Sequence, residues 1–199
     1  DVSGNSFEGM IPRGIGALTR LTYLSLSRNK FNGTFPEDIW NLASLVNLDI
    51  SDNDFRGVSL TPSKASAMSA LEQLHFGQNP YLLDEGNLDI SLPAGLELLT
   101  KLRVLRLDAT VTTSRIYSSS LDILSSLTNL EYVRIVGCNV FGPFPASLSR
   151  LSKMYELDLN GNRFSGKLPD AITALTMLNT LDVSGNSFEG MIPRGIGAL

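Results

Sequence analysis

Apolar residues alternate with polar ones in short runs that recur along the chain: Leu24 and Leu26, Leu48 and Ile50, Leu157 and Leu159, Leu181 and Val183. Alternation over so few residues predicts a short strand with one buried face. Behind each run comes an Asn, then Phe and Gly, and behind all but Leu48 and Ile50 an apolar residue followed by Pro, so that LTYLSLSRNKFNGTFP at 21–36 returns as MYELDLNGNRFSGKLP at 154–169. Aligned on the residue after the strand, the units fall at Asn5, Asn29, Asn53, Asn79, Thr110, Cys138, Asn162 and Asn186, with spacings of 24, 24, 26, 31, 28, 24 and 24. One strand per turn predicts parallel pairing of successive turns, because a lone turn cannot bury its apolar face. The turns must stack.

The conserved spacing gives each residue type a task. Asn after the strand offers two donors and an acceptor to backbone groups in a buried bend, which predicts an asparagine ladder through Asn5, Asn29, Asn53, Asn79, Asn162 and Asn186, with Cys138 in the same position as a buried thiol. Phe7, Phe31, Phe55, Phe164 and Phe188 are expected to form an inward column. Pro blocks a helix and favours an extended return on the far side. Residues 58–70 and 110–126 break the period and are expected to lie on the convex side or flank, with Leu121, Ile123, Leu124 and Leu127 at a spacing compatible with a short helix.

Over its whole length this pattern resembles the plant-type extracellular leucine-rich repeat, whose signature is L-x-x-L-x-L-x-x-N-x-F-x-G-x-I-P. The resemblance implies an α/β-class solenoid with a parallel β-sheet on its concave face and mostly irregular or 3-10 convex turns. Residues 1–199 then form one solenoid of about seven and a half turns. It also implies an extracellular or cell-surface location. Family members usually place cysteine pairs in capping turns, and Cys138 is the sole cysteine here, so both ends are expected to be uncapped.

Residues 182–199 repeat residues 1–18 at 18 of 18 positions, whereas the neighbouring unit 158–175 matches them at 9. Solvent-side positions such as Ser6, Glu8, Met10 and Arg13 recur without a packing reason. This suggests a tandem unit of 181 residues, seven turns long, advancing roughly 33 Å at the usual strand spacing. The leading expectation is accordingly a non-enzymatic structural protein that assembles with further copies of its own unit, joined covalently or head to tail, into a long solenoid or fibril. The alternative is a ligand-binding ectodomain resembling plant receptor kinases or polygalacturonase-inhibiting proteins, with a protein, peptide or acidic glycan as ligand. Residue 1 is not Met and no leader-like segment follows, so the sequence is expected to start inside a longer chain.

Composition adds mainly exclusions. A net charge of -4 argues against nucleic acid as a partner, and no apolar run reaches the roughly 18 residues a membrane helix requires. One histidine and one cysteine cannot build a zinc site, DISDND at 49–54 has its Gly and Glu at the wrong offsets for a calcium loop, and no G-x-S-x-G elbow exists. No catalytic, metal or cofactor site is therefore expected. Residues between the inward leucines point outward in a column Asp1, Ser25, Asp49, His75, Arg106, Arg134, Asp158, Asp182, flanked by Tyr23, Asn47, Gln73, Val104, Tyr132, Glu156 and Thr180. Two adjacent arginines repel unless an anion sits between them or Asp108 and Asp158 neutralise them. Tyr132, Arg106, Arg134, His75, Asp49 and Asp158 are thus the candidate contact patch, with His75 expected to be exposed. Asn32-Gly33-Thr34 is the one N-glycosylation sequon, expected on an exposed turn, and the Ser/Thr-rich stretches 59–69 and 110–120 are candidate O-glycan carriers.

Overall fold

A computed structural model describes residues 1–83, 89–109 and 114–199. Seven three-residue strands, Tyr23–Ser25, Asn47–Asp49, Gln73–His75, Val104–Arg106, Tyr132–Arg134, Glu156–Asp158 and Thr180–Asp182, pair in sequence order as one parallel sheet. Their middle residues, Leu24, Leu48, Leu74, Leu105, Val133 and Leu157, are buried, and Leu181 packs against them partly buried. The alternation read from the sequence therefore holds, and register carries the outward column unbroken from Ser25 to Asp182. Asp1 lies outside this sheet.

Every ladder asparagine but Asn5 ties two turns together. Asn53 donates to the carbonyls of Ile50 and Ser51 in its own turn and of Leu26 in the preceding one, while its Oδ1 accepts from Phe31 N at 3.0 Å. Asn29, Asn79, Asn162 and Asn186 repeat this arrangement, and Asn5 bonds its own bend through Val2 O and Ser3 O. At the irregular step the thiol of Cys138 donates to Leu107 O, and its N–H bonds Asn162 Oδ1. Thr110 lies outside the described residues.

The residue before the ladder position adopts a left-handed backbone. It is Gly4, Gly137, Gly161 and Gly185 in four turns, with φ of +62° to +67°, but Arg28, Asp52, Gln78 and Ala109 in the four between, with φ of +47° to +55°. A side chain there costs about 1–2 kcal/mol relative to glycine.

Beyond the ladder the 3-10 convex turns expected from the sequence are present, preceded by lateral strands that the sequence reading did not include. The segment first extends into a second row of short parallel strands: Glu8–Gly9, Lys30–Thr34 and Asp54–Arg56 form one lateral sheet, and Asp89–Ile90, Arg115–Tyr117, Val140–Pro143, Arg163–Gly166 and Ser187–Phe188 another. Only then does the convex side turn into 3-10 helices, six of which start directly after Pro12, Pro36, Pro93, Pro145, Pro169 and Pro193. Proline suits that place because its missing N–H would be unpaired at a helix start.

The phenylalanines stack at 6.0 Å between Phe7, Phe31 and Phe55, and again between Phe164 and Phe188, but Phe7 is half exposed rather than inward. Between those stacks the irregular turns need other filling. Residues 58–70 form the α-helix Pro62–Ala67, whose Ala65 and neighbouring Met68 are buried. Beneath lie Phe35, Trp40 and Phe76, with the Trp40 indole donating to Ser59 O at 3.0 Å. The expected short helix at 121–127 is a 3-10 helix, Ser118–Ser126, that buries Leu121 and Leu124.

Candidate functional site: the concave groove

The outward column does not behave as one patch. Four of its aspartates make the same local bond: Asp1, Asp49, Asp158 and Asp182 each accept the backbone N–H two residues on, from Ser3, Ser51, Asn160 and Ser184. This Asx-type bond holds the bend after the strand. The pattern Asp-x-Ser/Asn was present in the sequence and could have revealed it. Asp49 and Asp158 thus have structural work in addition to any contact.

The two arginines separate as well. Arg134 is held by Asp108 Oδ2 at 3.1 Å and Asp158 Oδ2 at 3.2 Å, with those carboxylates only 16% and 12% exposed. Neutralisation by protein carboxylates is therefore the outcome for Arg134. Arg106, one strand away, is exposed and makes no ion pair or side-chain hydrogen bond among the described residues. Tyr132 sits in the flanking column against the Tyr155 ring at 5.6 Å, apart from Arg106.

His75 corrects the expectation of an exposed strand residue: its side chain is 20% exposed, with Nδ1 4.0 Å from Asp49 Oδ2. Burial lowers its pKa below the ordinary imidazole value, Asp49 works against that, and Arg106 adds to it. The ring is neutral at neutral pH. Its Nε2 and the Oδ1 of Asp108 are both buried without a hydrogen-bond partner.

These residues surround a groove of about 360 Å³, lined by Ser27, Asp49, His75, Arg106 and Asp108 along the strand ends and by Arg28, Asp52 and Gln78 along the rim. An exposed guanidinium without a protein partner can hold a ligand that presents an anionic or carbonyl oxygen. The rim residues were absent from the sequence-based patch, because neither periodicity nor composition singles out the position before the ladder. Among the described residues no group of three potential metal ligands occurs, and no helix is long and apolar enough to cross a membrane.

Residues 1–55 match one leucine-rich repeat family model, and residues 153–175 and 177–199 match a second, together just over half of the chain. The chain is a leucine-rich repeat protein. As such it superposes on ectodomains of plant receptor kinases. The PEPR1 structure with AtPEP1 matches at TM-score 0.78 and 28% identity, covering 97% of this chain and 29% of that one. A TDR receptor structure matches at 0.71 and 33%, covering 98% and 36%. Arabidopsis HAESA, solved with the peptide hormone IDA and the co-receptor SERK1, matches at 0.72 and 27%, covering 99% and 35%. This leucine-rich repeat chain thus spans about a third of each receptor's length. No curated protein sequence matches it.

Proposed function

We propose that the chain is a ligand-binding segment of an extracellular leucine-rich repeat ectodomain, and that it takes a peptide or a peptide-like protein segment across its concave groove. The observation that carries this reading is Arg106: it is the unpaired cation of the groove, while the neighbouring Arg134 is already satisfied by two carboxylates. An acidic side chain or a terminal carboxylate of the ligand is the natural counterpart. Likeness to HAESA, solved with a peptide hormone, supports the same reading. The role is binding rather than catalysis.

The test is selection of linear peptides from a randomised display library on the wild-type chain, followed by affinity measurement on Arg106→Glu. Loss of about tenfold or more in affinity at unchanged melting temperature is expected for a central polar anchor. Equal binding by the variant would refute the assignment.

Extracellular placement also makes Asn32 a glycan acceptor. It lies on the strand Lys30–Thr34, not on a turn, but it and Thr34 share the exposed face and its amide has no partner among the described residues. Secretory expression should give a mass above the 21.6 kDa of the sequence, reverting to it in Asn32→Gln.

The structural-array reading rests on the sequence duplication alone, and the backbone bonds at the two copies are those of any turn in the stack. The identical end segments pair on opposite edges, Val2 and Gly4 donating forward to Ser25 and Ser27, whereas Asp182 and Ser184 accept from Leu159 and Gly161 behind them. One sequence thus serves both edges of a turn. Electron microscopy distinguishes the two readings, since filaments would support the array and discrete curved particles the receptor segment.

A further inference from the structure

The lateral strands also present an outward face, and its composition changes along the stack. Residues on either side of a buried strand residue point away from the core. Around Phe31 and Phe55 they are Lys30 and Asn32, then Asp54 and Arg56, a mixture of both charges. Three turns further on, Arg115 and Tyr117 flank the buried Ile116, Phe141 follows the buried Val140, and Arg163 and Ser165 flank the buried Phe164. Arginine and aromatic residues hold four of these five positions, and no acid holds any. Glu189, at the position of Ser165 in the following turn, ends the patch. Register sets Tyr117 beside Phe141 and Phe141 beside Arg163. The two rings touch, with centroids 4.3 Å apart and planes tilted by 50°, and the Arg115 guanidinium lies 5.1 Å from the Phe141 centroid. Tyr117 stays exposed. So does Arg163, which makes no ion pair or side-chain hydrogen bond among the described residues. The comparable stack of Arg56 on Tyr81, at 4.4 Å, differs in having Asp54 3.8 Å from its guanidinium. Surface contacts of this kind add little to the stability of a fold.

We propose that Tyr117, Phe141 and Arg163 form a lateral binding site for a linear acidic glycan, a chain of uronic-acid units running along the stack. The site is separate from the concave groove and does not depend on what that groove binds. An aromatic face is negative and receives the C–H face of a pyranose ring, while a guanidinium pairs with a sugar carboxylate through two parallel hydrogen bonds. Spacing favours a glycan over a peptide. Successive turns are about 4.8 Å apart, and an extended pyranose chain advances by nearly that distance per ring, so consecutive rings meet consecutive turns. An extended peptide advances about 3.4 Å per residue and falls out of step with the turns. A ring resting on Tyr117 and Phe141 therefore leaves the carboxylate of the next ring at Arg163, one turn on. Arg115, lying across Phe141, holds that ring in place.

The experiment is calorimetric titration with a galacturonate hexamer, its methyl-esterified form and a glutamate hexamer. The wild-type chain is compared with Arg163→Ala, Tyr117→Ala, Arg56→Ala and Arg106→Glu. The galacturonate hexamer should bind the wild type, more weakly as salt is raised, and the ester and the glutamate hexamer at least about tenfold less tightly. Arg163→Ala and Tyr117→Ala should each lower its affinity about tenfold, Arg163→Ala at unchanged melting temperature, since that side chain is exposed. Arg56→Ala and Arg106→Glu should bind it as the wild type does. Equal binding of the glutamate hexamer would reduce the patch to bare charge and overturn the glycan site. Loss on Arg106→Glu with Arg163→Ala unaffected would overturn it too, placing the acid in the concave groove, as would a wild type that does not bind the hexamer at all.

Discussion

Turns 132–199 and turns 23–109 are built on one plan and spend their sequence differently. In the later turns the lateral strands pair continuously from Val140–Pro143 to Ser187–Phe188, glycine fills the left-handed position before the ladder, and Arg134 is closed off by carboxylates. In the earlier turns the first lateral sheet stops after Asp54–Arg56 apart from one bridge to Tyr81 and the second begins only at Asp89–Ile90, an α-helix replaces a 3-10 turn, and non-glycine residues hold the left-handed position before the ladder. The groove lies among these less regular turns. Regularity supplies the stacking energy, and departures from it place side chains where the stack does not need them.

Removing a ladder residue should strike hardest at the regular half. Asn162→Ala leaves the buried N–H groups of Cys138 and Val140 and the carbonyl of Ile135 without their Asn162 partner, while Leu159 O keeps its bond from Asn186, for a loss on the order of 3–5 kcal/mol. Urea denaturation should show a large fall in midpoint or outright unfolding. Next comes Arg134→Ala, which strands Asp108 and Asp158. With the arginine side chain 36% exposed, solvent screening reduces the expected cost to about 1–2 kcal/mol. Arg106→Ala should cost almost nothing by the same measurement, and an equal cost for the two would erase the distinction between the closed and the open arginine.

Smaller and of opposite sign is Gln78→Gly, expected to gain about 1 kcal/mol in the earlier half. The smallest effect is one of pH. His75 has its pKa lowered in the fold, so the unfolded chain binds the proton more readily, and this contribution is full above the unfolded value near 6.5 and lost as pH falls toward the folded one. A stability profile over that window should flatten in His75→Gln, whereas an unchanged slope would show that other groups carry it.

The sequence made the stack legible because its strongest signals, alternate leucines and the asparagine after them, answer to burial and to backbone satisfaction. The lateral strands were hidden. Lys30-Phe31-Asn32-Gly33-Thr34 alternates as a strand should, but its Gly and the following Pro36 read as turn signals. The helix at Pro62–Ala67 was hidden too, since Ser, Lys and Ala show no apolar period. As for the site, the column was correctly ordered from Ser25 to Asp182, yet nothing in a sequence says that Asp108 and Asp158 choose Arg134 over Arg106. That depends on side-chain reach across strands. The recurring Asp-x-Ser/Asn bonds and the glycine alternation at Gly4, Arg28, Asp52, Gln78 and Gly137 were visible in principle, and needed the backbone angles to acquire meaning.

The most direct test of the account is amide hydrogen exchange of the chain with and without a display-selected peptide. Protection confined to 3–4, 27–28, 49–54, 75–79 and 106–109 is the predicted result, because those segments surround the groove. Protection centred instead on the lateral strands between 140 and 188, with the groove segments unchanged, would contradict it.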